Sequence, residues 1–334
     1  MQRAFCCTFA DGQKSKHFMS THTMINRKLI RQKIVQLVYA NLQNGGQPLP
    51  TAEKELAFSL GKAYDLYLFL LNLLAELQHY AGRRVEAAEA RAARFGGISV
   101  SSTPDFRFTN NQFLLQLKGN QTLSHYRENQ KQDWEDDPAF LKKLYTECIG
   151  SDPYQLYLSM GDYSYEADRE IIRKLYKMYL CENEEIDTIL EENGLYWNDD
   201  KDVIDSFVLK TIKRFSPDTP PEQELLPPYD SEDDRAFATQ LFRQALLRHD
   251  ETQALVRDNI KNWDFNRLAL MDIVIMQTAL TEILTFPEIP ISVSINEYLD
   301  IAKAYSTPRS AGYINGLLDH VIKQLTNNHT ILKN

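Results

Sequence analysis

Residues 289–319 read IPISVSINEYLDIAKAYSTPRSAGYINGLLD, and the fold turns on how this stretch is understood. Pro290 and Pro308 divide it into two helical patterns, at about 293–305 and 308–326. Thr307-Pro308-Arg309-Ser310 has the form of a helix start: a hydroxyl at the N-cap, a proline at the first helical position, then a cation and a hydroxyl in the first turn. Such a terminus suits an anion, because its first N–H groups lack partners and the helix dipole is positive there. Gly312 and Gly316 stand four apart on one face, which lets a neighbouring helix approach closely, and Tyr313 sits between them on another face. A well-capped core helix is the plainer reading of the same residues.

Working back from this stretch, helical patterns recur at about 264–285, 251–261 and 234–248. Residues 216–234 hold Pro217, Pro220, Pro221, Pro227 and Pro228 among acidic residues, the composition of a linker. Before it lie helical patterns at about 200–215, 184–193, 165–182 and 138–149. The Gly96-Gly97 segment reads as loop through about Thr109, and a polar, weakly patterned stretch then leads through Asp133 to Pro138. A long helix is expected from about Glu53 to Arg94, with Thr51, Lys54 and Glu55 available to cap it. Its apolar run Leu66–Leu77 contains Asn72 and Glu76, so it reads as a buried helix face and not a membrane span. Glycine and proline number only 13 each, which favours helices over many short strands.

The first clear helix runs from about Arg27 to Gln43, with Ile30, Ile34, Leu37, Val38 and Leu42 at helical spacing, and Gly45-Gly46 stops it. Arg27, Lys28 and Arg31 project from one side of a single turn and are expected to be exposed, with Lys33 further round. Cations at this end oppose the dipole, so the arrangement costs a few tenths of a kcal/mol. Together with the backbone N–H groups they suit a phosphate chain, and Tyr39 offers a face on which a base can stack. Ordinary surface charge is the competing reading. The net charge of −9 means that RNA can be held only by such a local patch.

Enzyme signatures are absent: no G-x-x-x-x-G-K-[ST], G-x-G-x-x-G, H-E-x-x-H or G-x-S-x-G occurs. Glu76-x-x-His79 is a single E-x-x-H where a di-iron site needs two, and reads as a solvated helix face. His249-Asp250 reads as a helix end followed by a cap. Cys6, Cys7, Cys148 and Cys181 form no C-x-x-C pair, so neither a zinc nor a disulfide framework is expected, and the chain reads as reduced and cytoplasmic. The acids between Glu184 and Asp205 read as a solvated face, with an acidic docking surface for a basic protein as the alternative.

The quoted stretch resembles the last two helices of NusB proteins, with INE at 295–297, AK at 302–303 and NG at 315–316 matching without a gap. Asn262–Leu284 is similar to the family's central C-terminal helix, residues 236–247 to the helix before it, and Arg31–Gln43 to its opening helix. The resemblance implies an all-α fold, a NusB-like pair of helical bundles with an additional helical insertion. The expected organisation is a disordered tail or misassigned start over 1–23, the basic N-terminal helix over 24–49, the insertion over 50–215, the linker over 216–234, the C-terminal bundle over 235–326 and a tail over 327–334. It further implies a non-enzymatic transcription antitermination factor without cofactor or metal. Such a factor binds single-stranded ribosomal RNA leader transcripts with the ribosomal protein NusE, and through them modifies elongating RNA polymerase. By residue-level match the RNA candidates are Arg27, Lys28, Arg31, Tyr39, Arg309, Ser310 and Tyr313, and Asp272 falls near the family's partner surface. Two departures stand out: Leu29 interrupts what is usually a denser arginine run, and a typical member is less than half this length. The alternative in another class is a helical protein–protein scaffold that has lost RNA binding. A NusB-like domain also occurs in some RNA cytosine methyltransferases, but the alternating strand–helix pattern of a cofactor domain is missing here. Self-association is left open.

Overall fold

The structure, a computed structural model, describes residues 26–95, 103–130, 133–161, 163–194, 196–223, 225–226, 232–260 and 265–331. The expected tail over 1–23 lies outside them. Among the described residues every regular element is helical, as the sequence pattern requires.

Helix α1 (Arg27–Gln43) begins and ends where its pattern predicts, and the Asn26 side chain caps it by accepting the Leu29 N–H at 2.9 Å. Gly45 and Gly46, both at positive φ, end it. Helix α2 (Leu49–Phe95) has 47 residues and starts earlier than expected. Pro50 sits in its first turn, where a missing N–H is harmless, so Thr51 is inside the helix and not its cap. At 1.5 Å per residue α2 spans about 70 Å. Its middle, from Leu66 to Gln78, is buried on every side and not on one face only. It packs against α1 and against five helices of the insertion, those over Pro104–Thr109, Gln112–Lys118, Gln121–Asn129, Pro138–Gly150 and Lys201–Arg214.

The insertion is more helical than its sequence suggested. The stretch expected as loop and weakly patterned chain forms α3 (Pro104–Thr109), α4 (Gln112–Lys118) and α5 (Gln121–Asn129). Thr103, Asn111 and Asn120 cap these three, each accepting a backbone N–H with its side chain. Phe108, Phe113, Leu114, Leu117 and Leu123 bury themselves in the core. Segments of one to two turns are too short to display a 3.6-residue period, and tertiary packing stabilises them instead. There follow α6 (Pro138–Gly150), α7 (Asp152–Met160), α8 (Tyr165–Leu175), which continues through a π-turn at Tyr176–Leu180, α9 (Glu184–Asn193) and α10 (Lys201–Arg214).

The described part of the Pro-rich segment is strapped to the body and does not behave as a free linker. Gln116 Nε2 donates to the carbonyls of Ser216 and Thr219 at 2.9 and 2.8 Å, and Asn120 Nδ2 to that of Gln223 at 2.8 Å. Leu225 and Leu226 are buried. The C-terminal bundle comprises α11 (Glu232–Leu247), α12 (His249–Asn259), α13 (Leu270–Thr285), α14 (Ile291–Tyr305) and α15 (Ser310–Asn327). Helix α13, buried from Asp272 to Ile283, is its axis, packed by α11, α12, α14, α15 and α1. Beyond α15, Ile331 turns back into the core, so the first part of the expected tail is anchored.

Candidate nucleic-acid interface

The N-terminal helix and the C-terminal bundle meet through charge. Arg31, expected to be exposed, is 3% exposed. Its Nε and Nη2 donate to the two carboxylate oxygens of Glu282 on α13, at 2.7 and 2.8 Å. Glu282 is fully buried and also accepts the Ser294 and Tyr298 hydroxyls of α14, at 2.7 and 3.0 Å. This fork, satisfied on every side, ties three helices and leaves the Arg31 guanidinium no free face for a phosphate. Arg27 is partly exposed; its Nε pairs with Asp234 at 3.0 Å and its guanidinium lies over the Phe237 ring. Lys28 is exposed. Leu29, which breaks the cation run, is a fully buried core residue.

The second cluster sits at the other end of α13. Thr307-Pro308-Arg309 form a turn, and α15 begins only at Ser310 with no side-chain cap, so Thr307 is not the N-cap. The Ser310 N–H donates to the Thr307 carbonyl at 2.9 Å. Ser310 is buried; its hydroxyl donates to Asp272 at 2.9 Å, and Ser306 donates to the other oxygen of that carboxylate. Asp272 is therefore turned inward, holding the 306–310 turn onto α13. Arg309 is exposed at the tip of this turn. Tyr313 is half-buried, with its phenol pushed up by burial and by Asp272. Tyr39 is likewise half-buried, and its hydroxyl accepts the Gln43 amide at 3.1 Å.

The structure also brings to α1 a wall of the insertion that no spacing in the sequence signals. Lys28 and Gln32 line a cleft of about 740 Å³ opposite Glu182, Glu184, Asp187 and Asp202, with Asp300 on the α14 side. Deeper in, Lys33 is buried in an ion pair with Asp200 at 2.5 Å, while at the surface Gln36 donates to the exposed Asp199 at 3.1 Å. Burial pushes the Asp200 carboxyl up to about 6, against the pull of Lys33. The run from Glu184 to Asp205 is thus not a wholly solvated face, since Asp200 and Asp205 are buried. Tyr305 gathers the amides of Gln32 and Gln36 at the end of α14.

Glu76 is not solvated either: it is buried, and its carboxyl is raised to about 7 by burial and then by Asp133 and Glu135. His79 lies 3.4 Å from Glu135. Among the described residues no group of three or more His, Cys, Asp or Glu is placed to hold a metal, and no helix is long and apolar enough to cross a membrane.

The NusB family model matches residues 221–323, which spans α11 to most of α15. A transcription antitermination protein NusB from Salinibacter ruber is 40% identical over 91 residues, 27% of this chain and 57% of that protein. One from Natranaerobius thermophilus is 49% identical over 65 residues, 20% of this chain and 47% of that protein. In both cases the match spans only about half of the relative's length. One from Desulfatibacillum aliphaticivorans is 31% identical over 113 residues, 34% of this chain and 73% of that protein. No solved structure matches. With a five-helix bundle over the matched residues, and identity across nearly three quarters of a relative's length, the chain belongs to the NusB family.

Proposed function

We propose that this protein is a transcription antitermination factor of the cytoplasm, one that binds the single-stranded RNA of ribosomal leader transcripts together with the ribosomal protein NusE. Through them it acts on elongating RNA polymerase, by binding alone, with no cofactor and no catalytic step. The observation that carries the reading is the joint between α1 and the family-matched bundle. The Arg31–Glu282 fork locks the basic helix to α13 and α14, and Lys28 and Arg309 remain exposed on the resulting body. Those two cations serve phosphate groups; Arg27 joins them if RNA displaces Asp234, a partly exposed pair of little strength. Tyr39 and Tyr313 supply ring faces for bases. Arg31, Ser310 and Asp272 act indirectly, Arg31 by fixing α1 and the other two by holding the Arg309 turn, and Asp272 shapes the partner surface through that turn.

A gel-shift titration with leader RNA, with and without NusE, tests this. Lys28→Ala with Arg309→Glu should weaken binding, while Lys142→Ala with Lys143→Ala should not. A second reading, a scaffold without RNA affinity, is favoured by the acids that face Lys28 across the cleft. Absence of RNA binding at low salt, with and without NusE, selects it.

A further inference from the structure

A groove runs between α7 and α8 of the insertion. Leu156 and Met160, one turn apart on α7, are 61% and 68% exposed, among the most exposed large apolar side chains of the described residues. Across from them α8 supplies the half-buried Ala167 and, at the floor of the groove, the buried Ile171, also one turn apart. The two stripes face a common space of about 710 Å³. Paired apolar stripes at helical spacing are what a third helix packs into, since its own ridge of i, i+3, i+4 and i+7 side chains fits between them. Exposed apolar side chains in a contiguous stripe, unlike scattered ones, mark an interaction surface.

The rim decides the occupant. Asp152, Glu166 and Glu170 border the groove against one cation, Lys174. Glu170 is already taken by Arg173 of its own helix, at 2.6 Å, which leaves Asp152 and Glu166 as the outward negative charges. A second copy of this chain would set the same net-negative rim against itself, in a protein of net charge −9. The geometry points to an amphipathic helix of another protein, with apolar residues at i, i+3, i+4 and i+7 and lysines or arginines flanking them, seated between α7 and α8. The groove lies outside the family-matched residues 221–323 and is separate from the RNA surface, so the insertion adds a docking module to the factor.

The test uses the full-length protein and a synthetic helix of about four turns, with Leu at the stated spacing and Lys elsewhere. Two control peptides accompany it: one of the same composition with the Leu positions scrambled, and one with Glu in place of Lys. Binding is read by fluorescence anisotropy. The Leu/Lys helix should bind, and Leu156→Glu or Met160→Glu should weaken it about tenfold or more. Leu247→Glu, at another exposed apolar residue, should leave it unchanged. Thermal unfolding checks that each variant folds, and Leu156→Ala with Met160→Ala repeats the comparison without added charge. The inference is overturned if the Leu/Lys helix does not bind, if either control peptide binds as tightly, or if the groove variants bind like the parent. It is equally overturned if sedimentation shows a dimer that Leu156→Glu dissociates, which would give the groove to a second copy.

Discussion

Arg31→Ala should cost far more stability than the same change at Arg27 or Lys28, the cations beside it on the first turns of the basic helix. The parent pair is fully enclosed: Glu282 accepts two guanidinium N–H groups, at 2.7 and 2.8 Å, and two hydroxyls, at 2.7 and 3.0 Å. Removing the guanidinium leaves a carboxylate at zero exposure with only two neutral donors. Breaking a buried pair in this way costs about 3–5 kcal/mol. For a chain of this size that is a fall in Tm on the order of 10 °C. Lys28→Ala, at an exposed position, should stay within about 0.5 kcal/mol of the parent. Replacing both partners, as Arg31→Met with Glu282→Met, should recover much of the loss, because no charge is then stranded. Urea unfolding followed by circular dichroism measures all four proteins. If Arg31→Ala unfolds within about 1 kcal/mol of the parent, or the double variant is no better than the single, the joint does not depend on this pair. A consequence for RNA work follows: a triple alanine variant at Arg27, Lys28 and Arg31 confounds binding with folding, so the surface has to be tested at Lys28 and Arg309.

Lys28→Ala with Arg309→Glu should make the salt dependence of RNA affinity shallower by about 0.7 per lost contact, measured by gel shift over a salt series, and an unchanged slope would place the RNA elsewhere. Glu76 is buried with its carboxyl raised from 4.5 to about 7, so between those values the folded protein holds more protons than the unfolded chain. Stability therefore falls as pH rises through that window, and Glu76→Gln should flatten the trend in unfolding midpoints from pH 5 to pH 8; a parallel curve would refute the assignment. Asp200→Asn should likewise flatten the slope between 3.8 and about 6, at the expense of the Lys33 pair, read by the same titration. Leu226→Ala should destabilise by about 2–4 kcal/mol, as a buried core residue does, whereas a free linker would lose nothing in urea unfolding.

What the sequence determined by itself is the helical class, the places of the long helices and the family of the C-terminal bundle, although α2 starts four residues before and α13 six residues after the expected positions. Those properties are local: a 3.6-residue period repeated over several turns, prolines and paired glycines at the breaks, and matched residues from Ile289 to Asp319. The short helices α3, α4, α5 and α7 escaped because one or two turns do not display a period, although their Asn, Thr and Ser caps were in plain view. The fate of each charge was decided only in three dimensions. Arg27, Lys28 and Arg31 look equivalent on a helical projection, yet the partner that buries Arg31 lies 251 residues away on α13. Nothing near Lys33 announces Asp200, nor does anything near Lys28 announce the acids of α9 and α10 that face it. A cation's availability depends on which carboxylates the fold carries to it, and Coulomb attraction follows distance in space and not separation along the chain.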